Sequence, residues 1–259
     1  MDYTFSHNYC DGFFDLHDGR FNHSRGDVRV DFILNLDKFL QETYSVPRTT
    51  AHAIAKTLFA RMNDARLHYH TPVHILSMFQ WLQQIRKEED AAVLDLLPEQ
   101  HLAIWFHDAI YVPGSTSNEA DSAAFMTSLM TPFIKDRKVK GQGSELLTTA
   151  QLLNGATVMI MCTEIRSHFN PFAMVPEGEI IVDLDVCNFA WKKEAFEEAG
   201  RCVAAEFDNS PEEKEKGRKA FFEKLLGKGF IYRTNYFKRF EKTAKDQIQS
   251  IIGTTEQTA

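Results

Sequence analysis

The 259-residue sequence predicts an all-α protein. From Asp27 onward, apolar residues recur at intervals of three and four positions in most segments, which is the spacing of an amphipathic helix. Segments that carry proline and glycine, at 112–117 and 170–178, separate the periodic stretches and are predicted to be loops. Helix-start signals precede several of the stretches. Together these observations predict a helical bundle.

The helices follow in order from this spacing and from their start signals. Thr71 before Pro72 fits an N-cap followed by proline at the first helical position. Ser210 and Pro211 repeat that arrangement ahead of two glutamates that favour the helix dipole. The first predicted helix contains Phe32, Ile33, Leu36, Phe39 and Leu40. The further predicted helices are 48–62, 72–87, 92–108, 118–133, 145–166, 188–207, 211–226 and 234–251.

The domain organisation predicted from the sequence is simple. Residues 1–26 are rich in Asp, Asn, His, Gly and Phe without a clear period, so we expect an irregular N-terminal arm. The remainder contains no repeat and no linker-like segment. With 44% hydrophobic and 25% charged residues, the composition is that of a globular protein able to bury a full core. We therefore expect a single helical domain over 27–259.

Charge and composition exclude several classes of function. The net charge is -7 and the pI is about 5.8, so no nucleic-acid partner is expected. A bound cation can invert the local charge of a cleft, so the net negative charge does not exclude small anionic substrates. The four cysteines form no CxxC pair and are expected to be reduced. With no apolar run of about 18 residues and no basic leader, we expect a cytoplasmic protein that does not interact with a membrane.

Two histidine-containing segments carry the first candidate metal ligands. At 105–111 (WFHDAIY) an apolar stretch ends in His107 and Asp108, which places an imidazole and a carboxylate at the C-terminal end of a buried helix. His74 lies between two apolar residues in the first turn of the helix that starts at 72, where a buried imidazole needs a partner. For His107, a helix-terminal histidine that simply interacts with the helix dipole is the alternative interpretation.

A third segment, 180–186 (IIVDLDV), has two carboxylates inside an apolar run. Burying an unpaired carboxylate costs several kcal/mol, so Asp183 and Asp185 must be solvated, hydrogen-bonded or metal-bound. A pair of capping aspartates is the alternative to a metal ligand. Taken in chain order, the three segments give a mixed set of nitrogen and oxygen donors: one histidine, then an adjacent His-Asp pair, then an aspartate (H, HD, D).

This order resembles the signature of the HD superfamily, and the fuller set of motifs is similar to its subgroup of predicted HD-type metal-dependent phosphohydrolases. The family's IxxTxxH segment is matched only as far as Thr163, with the histidine displaced to His168, and Ala204 stands where the family has an arginine. The resemblance runs from Arg66 to Glu241 and implies an HD-domain helical bundle with additional N- and C-terminal helices. The matching segments are 69–75 (YHxxxHI), 105–111 (WFHDxxY), 118–123 (NExxSA), 183–186 (DxDL, with Val in place of the last Leu) and 231–241 (IYxTxxF…E).

The resemblance implies one divalent metal ion bound by His74, His107, Asp108 and Asp185, with Asp183 as the second choice for the last ligand. The cation could be Mn, Co, Ni, Mg, Fe or Zn, because geometry rather than the ligand types decides among such metals. It would lower the pKa of a bound water and supply the nucleophile.

The remaining site residues are assigned on the same resemblance. Besides Asp108, Glu119 is the expected catalytic residue, as acceptor of the water proton; a first-turn glutamate that favours the helix dipole is the alternative. Asn118 is either a substrate contact or the N-cap of that helix. Arg66 has the planar group that suits phosphate oxygens, but a surface ion pair is equally compatible. His168 would bind substrate or a second metal. The expected substrate contacts are Arg66, Tyr69, His70, Asn118 and His168.

The function implied is hydrolysis of a phosphate ester or anhydride, with a nucleotide as the expected substrate, by an enzyme of the nucleotidase, nucleotide pyrophosphohydrolase or phosphodiesterase type. Two other classes stay open. One is a catalytically silent HD-fold sensor that binds a nucleotide or a protein. The other is a dimetal oxygenase on the same fold, which would need His168 and further ligands.

Overall fold

The computed structural model describes residues 28–88, 96–135, 137–138, 146–164 and 174–254. Within these ranges the chain forms eleven α-helices, two short 3-10 helices and one pair of two-residue antiparallel strands, so the all-α prediction is confirmed. The α-helices are α1 (Val28–Tyr44), α2 (Arg48–Met62), α3 (Pro72–Glu88), α4 (Pro98–Phe106), α5 (Asn118–Met130), α6 (Thr149–Cys162), α7 (Glu179–Asp185), α8 (Lys193–Ala205), α9 (Pro211–Gly227), α10 (Asn235–Lys238) and α11 (Glu241–Thr254). The strands are β1 (Arg137–Lys138) and β2 (Leu146–Leu147), and the 3-10 helices are Pro176–Gly178 and Cys187–Ala190.

Local sequence explains where the helices begin. At the start of α9, Ser210 Oγ accepts from the Glu213 N–H at 3.3 Å while the Glu213 carboxylate accepts from the Ser210 N–H at 2.9 Å. Thr148 and Gln151 form the same reciprocal cap at α6. Helix α3 begins at Pro72, as the sequence predicts. These caps satisfy backbone donors that the first helical turn leaves without partners.

The first layer of the core forms where α1 packs against α2 and α3. Helix α1 ends at Tyr44, because the next residue, Ser45, has a φ of 54° in the left-handed region that terminates a helix. Trp105 of α4 is 1% exposed and meets the ring of Phe32 edge-on at 5.1 Å and that of Phe79 at 4.6 Å. Helix α4 is thereby held by rings from α1 and α3. Helix α6 packs against α4 and also against α5 and α7.

The C-terminal helices extend the same apolar core. Phe189, Phe196 and Phe222 bring the second 3-10 helix, α8 and α9 together, with ring centroids 5.7 to 6.0 Å apart. Phe237 of α10 packs on Trp81 of α3 at 5.4 Å. Their buried side chains belong to one cluster with those of α1 to α7. The helices that carry the candidate ligands are therefore surrounded by packed structure.

Several helix boundaries differ from the prediction, for physical reasons. The segment predicted over 234–251 divides into α10 and α11, because Glu241 starts a new helix and its carboxylate accepts from the backbone of Ile231 and Tyr232. The segment predicted over 188–207 starts only at Lys193, since Trp191 is extended, with ψ of 170°. Helix α7 was not predicted at all, because seven residues are too short for a helical period to show.

The predicted arm over 1–26 and part of the helix predicted over 92–108 lie outside the described residues. In the part of the chain that the structure describes, none of the helices combines the length and the apolar character needed to cross a bilayer.

Candidate metal centre

Four side chains from three helices meet at one point. His74 lies in the first turn of α3, His107 and Asp108 follow directly after α4, and Asp185 is the last residue of α7. One donor atom of each residue lies within 4.8 Å of the others. The structure thus brings together the four residues that the sequence suggested as ligands.

The neighbouring chain explains why these polar groups are buried. The His107 N–H still donates to the Ala103 carbonyl at 2.9 Å, so His107 continues α4, whose last turns are fully apolar. Packing of that helix carries the imidazole inward, and its side chain is only 1% exposed. The Asp108 side chain is 11% exposed and that of Asp185 is 20% exposed. A solvent-reachable side of the group therefore lies near the carboxylates.

The distances suit a shared cation. His74 Nε2 lies 3.0 Å from Asp185 Oδ1 and 3.8 Å from Asp108 Oδ2, and His107 Nε2 lies 3.1 Å from Asp108 Oδ2. Two ligands that are each about 2.1 Å from one ion lie at most about 4.2 Å apart. The buried atoms His107 Nε2 and Asp108 Oδ2 have no hydrogen-bond partner among the described residues. Two imidazoles and two carboxylates therefore fit a divalent transition-metal ion.

A hydrogen bond on the far side of His107 fixes its tautomer. Nδ1 lies 3.0 Å from the Ile104 carbonyl oxygen, which can only accept, so Nδ1 carries the proton. In the neutral ring the lone pair is then on Nε2, the atom that faces Asp108 and Asp185. This is how proteins orient histidine toward a metal.

The electrostatics of the group call for a positive charge. Burial acts to lower the pKa of His107, but the carboxylates of Asp108 and Asp185 outweigh it and raise that pKa well above the ordinary value. Burial alone would raise the pKa of Asp185, yet the interactions with the nearby His107 and His74 rings hold it below its usual range. A proton on His107 thus offsets part of the carboxylate charge, and a divalent cation would replace it.

The structure separates Asp183 from this group. Its side chain is buried, and its carboxylate accepts from the backbone of Arg233 at 2.9 Å and from both the N–H and the hydroxyl of Thr234 at 2.7 Å. Burial raises the pKa of Asp183 to about 6, although the bonds from Thr234 and Arg233 act in the opposite direction. Asp183 therefore ties α7 to the start of α10, and it lies outside the four-residue group.

Glu206 is a site residue that the sequence reasoning missed. Its side chain is fully buried, and one oxygen accepts from the backbone N–H groups of His68, Tyr69 and His70 at 2.8, 2.7 and 3.0 Å. The other oxygen lies 2.6 Å from His70 Nδ1. The available signal was a lone glutamate between apolar residues in CVAAEF. Glu206 holds the chain segment that leads into α3.

His70 is held beside the four-residue group by several contacts. Its ring stacks on Tyr111 at 3.7 Å between centroids and meets Tyr69 edge-on at 5.1 Å and His74 at 6.3 Å. Burial lowers the pKa of His70, but the bond to Glu206 and the charge of Asp108 give a net rise above the ordinary value. The Glu206 bond and the nearby carboxylate thus favour the protonated form of the His70 ring. The Tyr69 ring lies 5.0 Å from the His74 ring, so both predicted contacts border the group.

Glu119 faces the same region, while Asn118 has a structural task. Burial raises the pKa of Glu119, and the charges of Asp108, Glu164 and Asp185 act in the same direction. Asn118 does not cap its helix, since the N-cap is Ser117. Its side-chain amide pairs with Val112 instead, accepting from the N–H at 2.9 Å and donating to the carbonyl at 3.1 Å. Both ends of Asn118 are thus engaged in holding a turn.

Two predicted substrate contacts are not among these residues. The Arg66 side chain is 83% exposed and pairs with the Asp64 carboxylate at 2.8 Å, which matches the surface ion pair considered from the sequence. His168 lies outside the described residues.

The fold and the site define a helical protein with a four-residue group that could hold a metal ion. The structure is similar to the crystal structure of the phosphodiesterase domain of the RhoPDE fusion protein from the choanoflagellate Salpingoeca rosetta, with a TM-score of 0.58 and 10% sequence identity. The similarity covers 95% of this chain and 97% of that one. At this identity it shows a shared fold. No protein-family model and no curated protein matches the sequence.

Proposed function

We propose that the protein is a metal-dependent phosphohydrolase that acts on a phosphate ester or anhydride. The observation that carries the proposal is the convergence of His74, His107, Asp108 and Asp185 on one point that is buried on the imidazole side and reachable at the carboxylates. The shared fold with a phosphodiesterase domain supports the same reaction class.

The four residues would hold one divalent cation. When bound, such a cation neutralises charge on phosphate oxygens and lowers the pKa of a coordinated water. Neighbouring side chains would then accept the proton of the attacking water and donate a proton to the leaving oxygen. Glu119 is suited to accept a proton from the attacking water, because burial keeps its pKa closer to neutrality than that of an exposed glutamate.

His70 is suited to protonate the leaving oxygen. Its Nδ1 is engaged by the buried Glu206 carboxylate, which leaves Nε2 as the atom available to a substrate. A carboxylate behind an imidazole also keeps the ring protonated and oriented. We infer that His70 and Glu206 act as a pair in this reaction and that Tyr69, beside them, borders the substrate.

A nucleotide is the substrate that we propose. The motif resemblance to HD-type phosphohydrolases favours a nucleotide. The phosphodiesterase domain named in the related structure supports only the broader class of phosphate esters. Arg66 is not assigned a phosphate contact, because its guanidinium is exposed and paired with Asp64.

The test combines metal analysis with turnover. The metal-stripped protein is reloaded with Mn, Co, Ni, Mg, Fe or Zn and assayed on nucleoside mono-, di- and triphosphates and on phosphodiesters. We expect one ion per chain and metal-dependent release of product. His107→Ala should lose both. His52→Ala, which removes a half-exposed histidine paired with Asp37, is the matched control and should retain both.

The possible outcomes separate the functions considered from the sequence. Absence of turnover with every metal would exclude the hydrolase, and a bound ion without turnover would favour a sensor. Two irons per chain together with oxygen consumption would instead favour an oxygenase.

A further inference from the structure

Tyr111 and His70 make the closest contact between two aromatic rings in the described part of the chain. The Tyr111 ring lies 3.7 Å from the His70 ring between centroids, and the two planes are inclined by 17°. Tyr111 follows Asp108 by three positions, after the end of α4. Its ring is half-buried, so the contact lies at the border of the site rather than in the core. The stack covers one face of the imidazole.

The backbone on both sides of Tyr111 is fixed by α5. On one side, Ser122 Oγ accepts from the Ile110 N–H at 2.9 Å and donates to the Ile110 carbonyl at 3.1 Å. On the other side, the Asn118 amide pairs with Val112 in the same reciprocal way. Each side chain engages both backbone groups of one residue. Because the residues before and after it are clamped, the backbone of Tyr111 has little freedom to shift.

Glu206 holds the edge of the His70 imidazole, at Nδ1. One carboxylate oxygen is 2.6 Å from Nδ1 and the other accepts from the His70 N–H at 3.0 Å. A single hydrogen bond to Nδ1 still tolerates some tilt of the ring about the Cβ–Cγ bond. The stack on Tyr111 limits that tilt, because the ring plane must stay close to parallel with the phenol ring. The two contacts together determine where Nε2 points.

We propose that Tyr111 is a positioning residue that holds the His70 ring in the plane from which Nε2 protonates the leaving oxygen. The proposal rests on the function proposed above. In that step water attacks phosphorus and its proton passes to Glu119, while the bond from phosphorus to the leaving oxygen breaks and that oxygen takes the Nε2 proton. The Tyr111 hydroxyl takes no part, so an aromatic ring is sufficient.

The first experiment uses leaving-group dependence in the metal-loaded protein. The p-nitrophenyl, phenyl and methyl esters of one phosphate substrate are compared for the wild type, His70→Asn, Tyr111→Leu and Tyr111→Phe. General acid catalysis contributes about 10²–10⁴-fold and matters most for poor leaving groups. We expect Tyr111→Leu to lose about 30-fold or more in kcat on the methyl ester and less than about threefold on the p-nitrophenyl ester. KM should change little, and Tyr111→Phe should behave as the wild type.

The outcomes distinguish this proposal from the proposed function. If the wild type turns over and His70→Asn loses the methyl ester selectively, but Tyr111→Leu keeps the wild-type ratio of rates, the positioning role is wrong and the function stands. An equal loss of kcat on all three esters would also contradict it, because a general loss of structure has that effect.

A second measurement does not depend on turnover. Carbon-13 relaxation of the His70 ring reports how strongly the ring is ordered in the magnesium-loaded protein. We expect an ordered ring in the wild type and in Tyr111→Phe, and a more mobile ring in Tyr111→Leu at an unchanged fold by circular dichroism. A His70 ring that is as ordered in Tyr111→Leu as in the wild type would overturn the proposal even if no substrate is found.

Discussion

At the scale of single residues, Asp183 and Asp185 have the same side chain and opposite tasks. They are two positions apart in α7, which rotates them by about 200° around the helix axis. Asp185 therefore faces the two imidazoles, while Asp183 faces the backbone of Arg233 and Thr234. One aspartate completes the candidate metal centre and the other attaches the next part of the chain.

Matched substitutions should separate these tasks. We expect Asp185→Asn to abolish stoichiometric metal binding. Asp183→Asn should retain the metal but lower the free energy of unfolding by about 1–3 kcal/mol, since an amide cannot accept from all the buried donors around it. Metal analysis and urea unfolding of both variants check this. Loss of the ion from a folded Asp183→Asn protein would contradict the assignment.

His70 and Glu206 give a second prediction, on pH dependence. The pKa of His70 is raised although burial opposes this, because the bond to Glu206 and the charge of Asp108 favour the imidazolium. A proton donor is active below its own pKa, so activity should fall as pH rises through that raised value. Glu206→Gln removes the negative charge and should shift the alkaline limb of the kcat profile to lower pH.

The same substitution bears on stability. The imidazolium contribution to stability is present below the ordinary histidine pKa and is lost as pH rises through the raised one. The difference in stability between the wild type and Glu206→Gln should therefore be larger at mildly acidic pH than at alkaline pH. If the alkaline limb of the kcat profile lies at the same pH in the wild type and in Glu206→Gln, Glu206 does not act on the proton donor.

At the scale of elements, the approach of α7 to α6 depends on Gly178. A Cβ added there would lie 2.9 Å from Cys162 Sγ, closer than packed atoms allow, and 3.2 Å from Cys162 Cβ, which is a tight contact. The glycine thus permits the chain to enter α7 directly against the end of α6. Since α7 carries Asp185, this contact sets the position of one candidate ligand.

Gly178→Ala should therefore affect both stability and metal binding. Overpacking typically costs about 1–3 kcal/mol, and we expect a loss of that size with a weaker metal affinity. Cys162→Ala in the same protein should recover part of both, because it removes the closer atom. The control is Gly217→Ala in α9, which meets nothing within 4 Å and should stabilise the protein by up to about 1 kcal/mol. Isothermal titration and urea unfolding measure the two effects.

At the scale of the whole molecule, the candidate ligands belong to helices that are distant in the sequence, so we expect metal binding and folding to be coupled. An unfolded chain cannot bring α3, α4 and α7 together, and an ion that binds only the folded state adds about 1.4 kcal/mol for each tenfold excess over its Kd. We expect a chelator to lower Tm and metal to restore it. His107→Ala should show neither shift, and an equal chelator effect on that variant would refute the coupling.

The helical fold was predictable because the helical period is a local signal that is visible without tertiary structure. The residues that meet at His74 and His107 were suggested by polar side chains in apolar segments, but their assignment as one ligand set rested on the resemblance to the HD superfamily. The resemblance favoured Asp185 over Asp183, but the residues alone left the choice open, because it depends on the rotation of a short helix that the helical period does not reveal. Glu206 and the stack on Tyr111 depend on contacts between distant segments, which a single sequence does not encode locally.

The order of the ligand helices also has a consequence for biosynthesis. Chains emerge from the ribosome N-terminus first, so His74, His107 and Asp108 are available before α5, α6 and α7 have been made. An ion that meets the nascent chain at that stage finds three donors and lacks Asp185. The full donor set exists only once α7 has docked through Gly178, so the metal loading proposed above would follow translation of the last helix of the group. Metal uptake would then be a late step in the maturation of the protein.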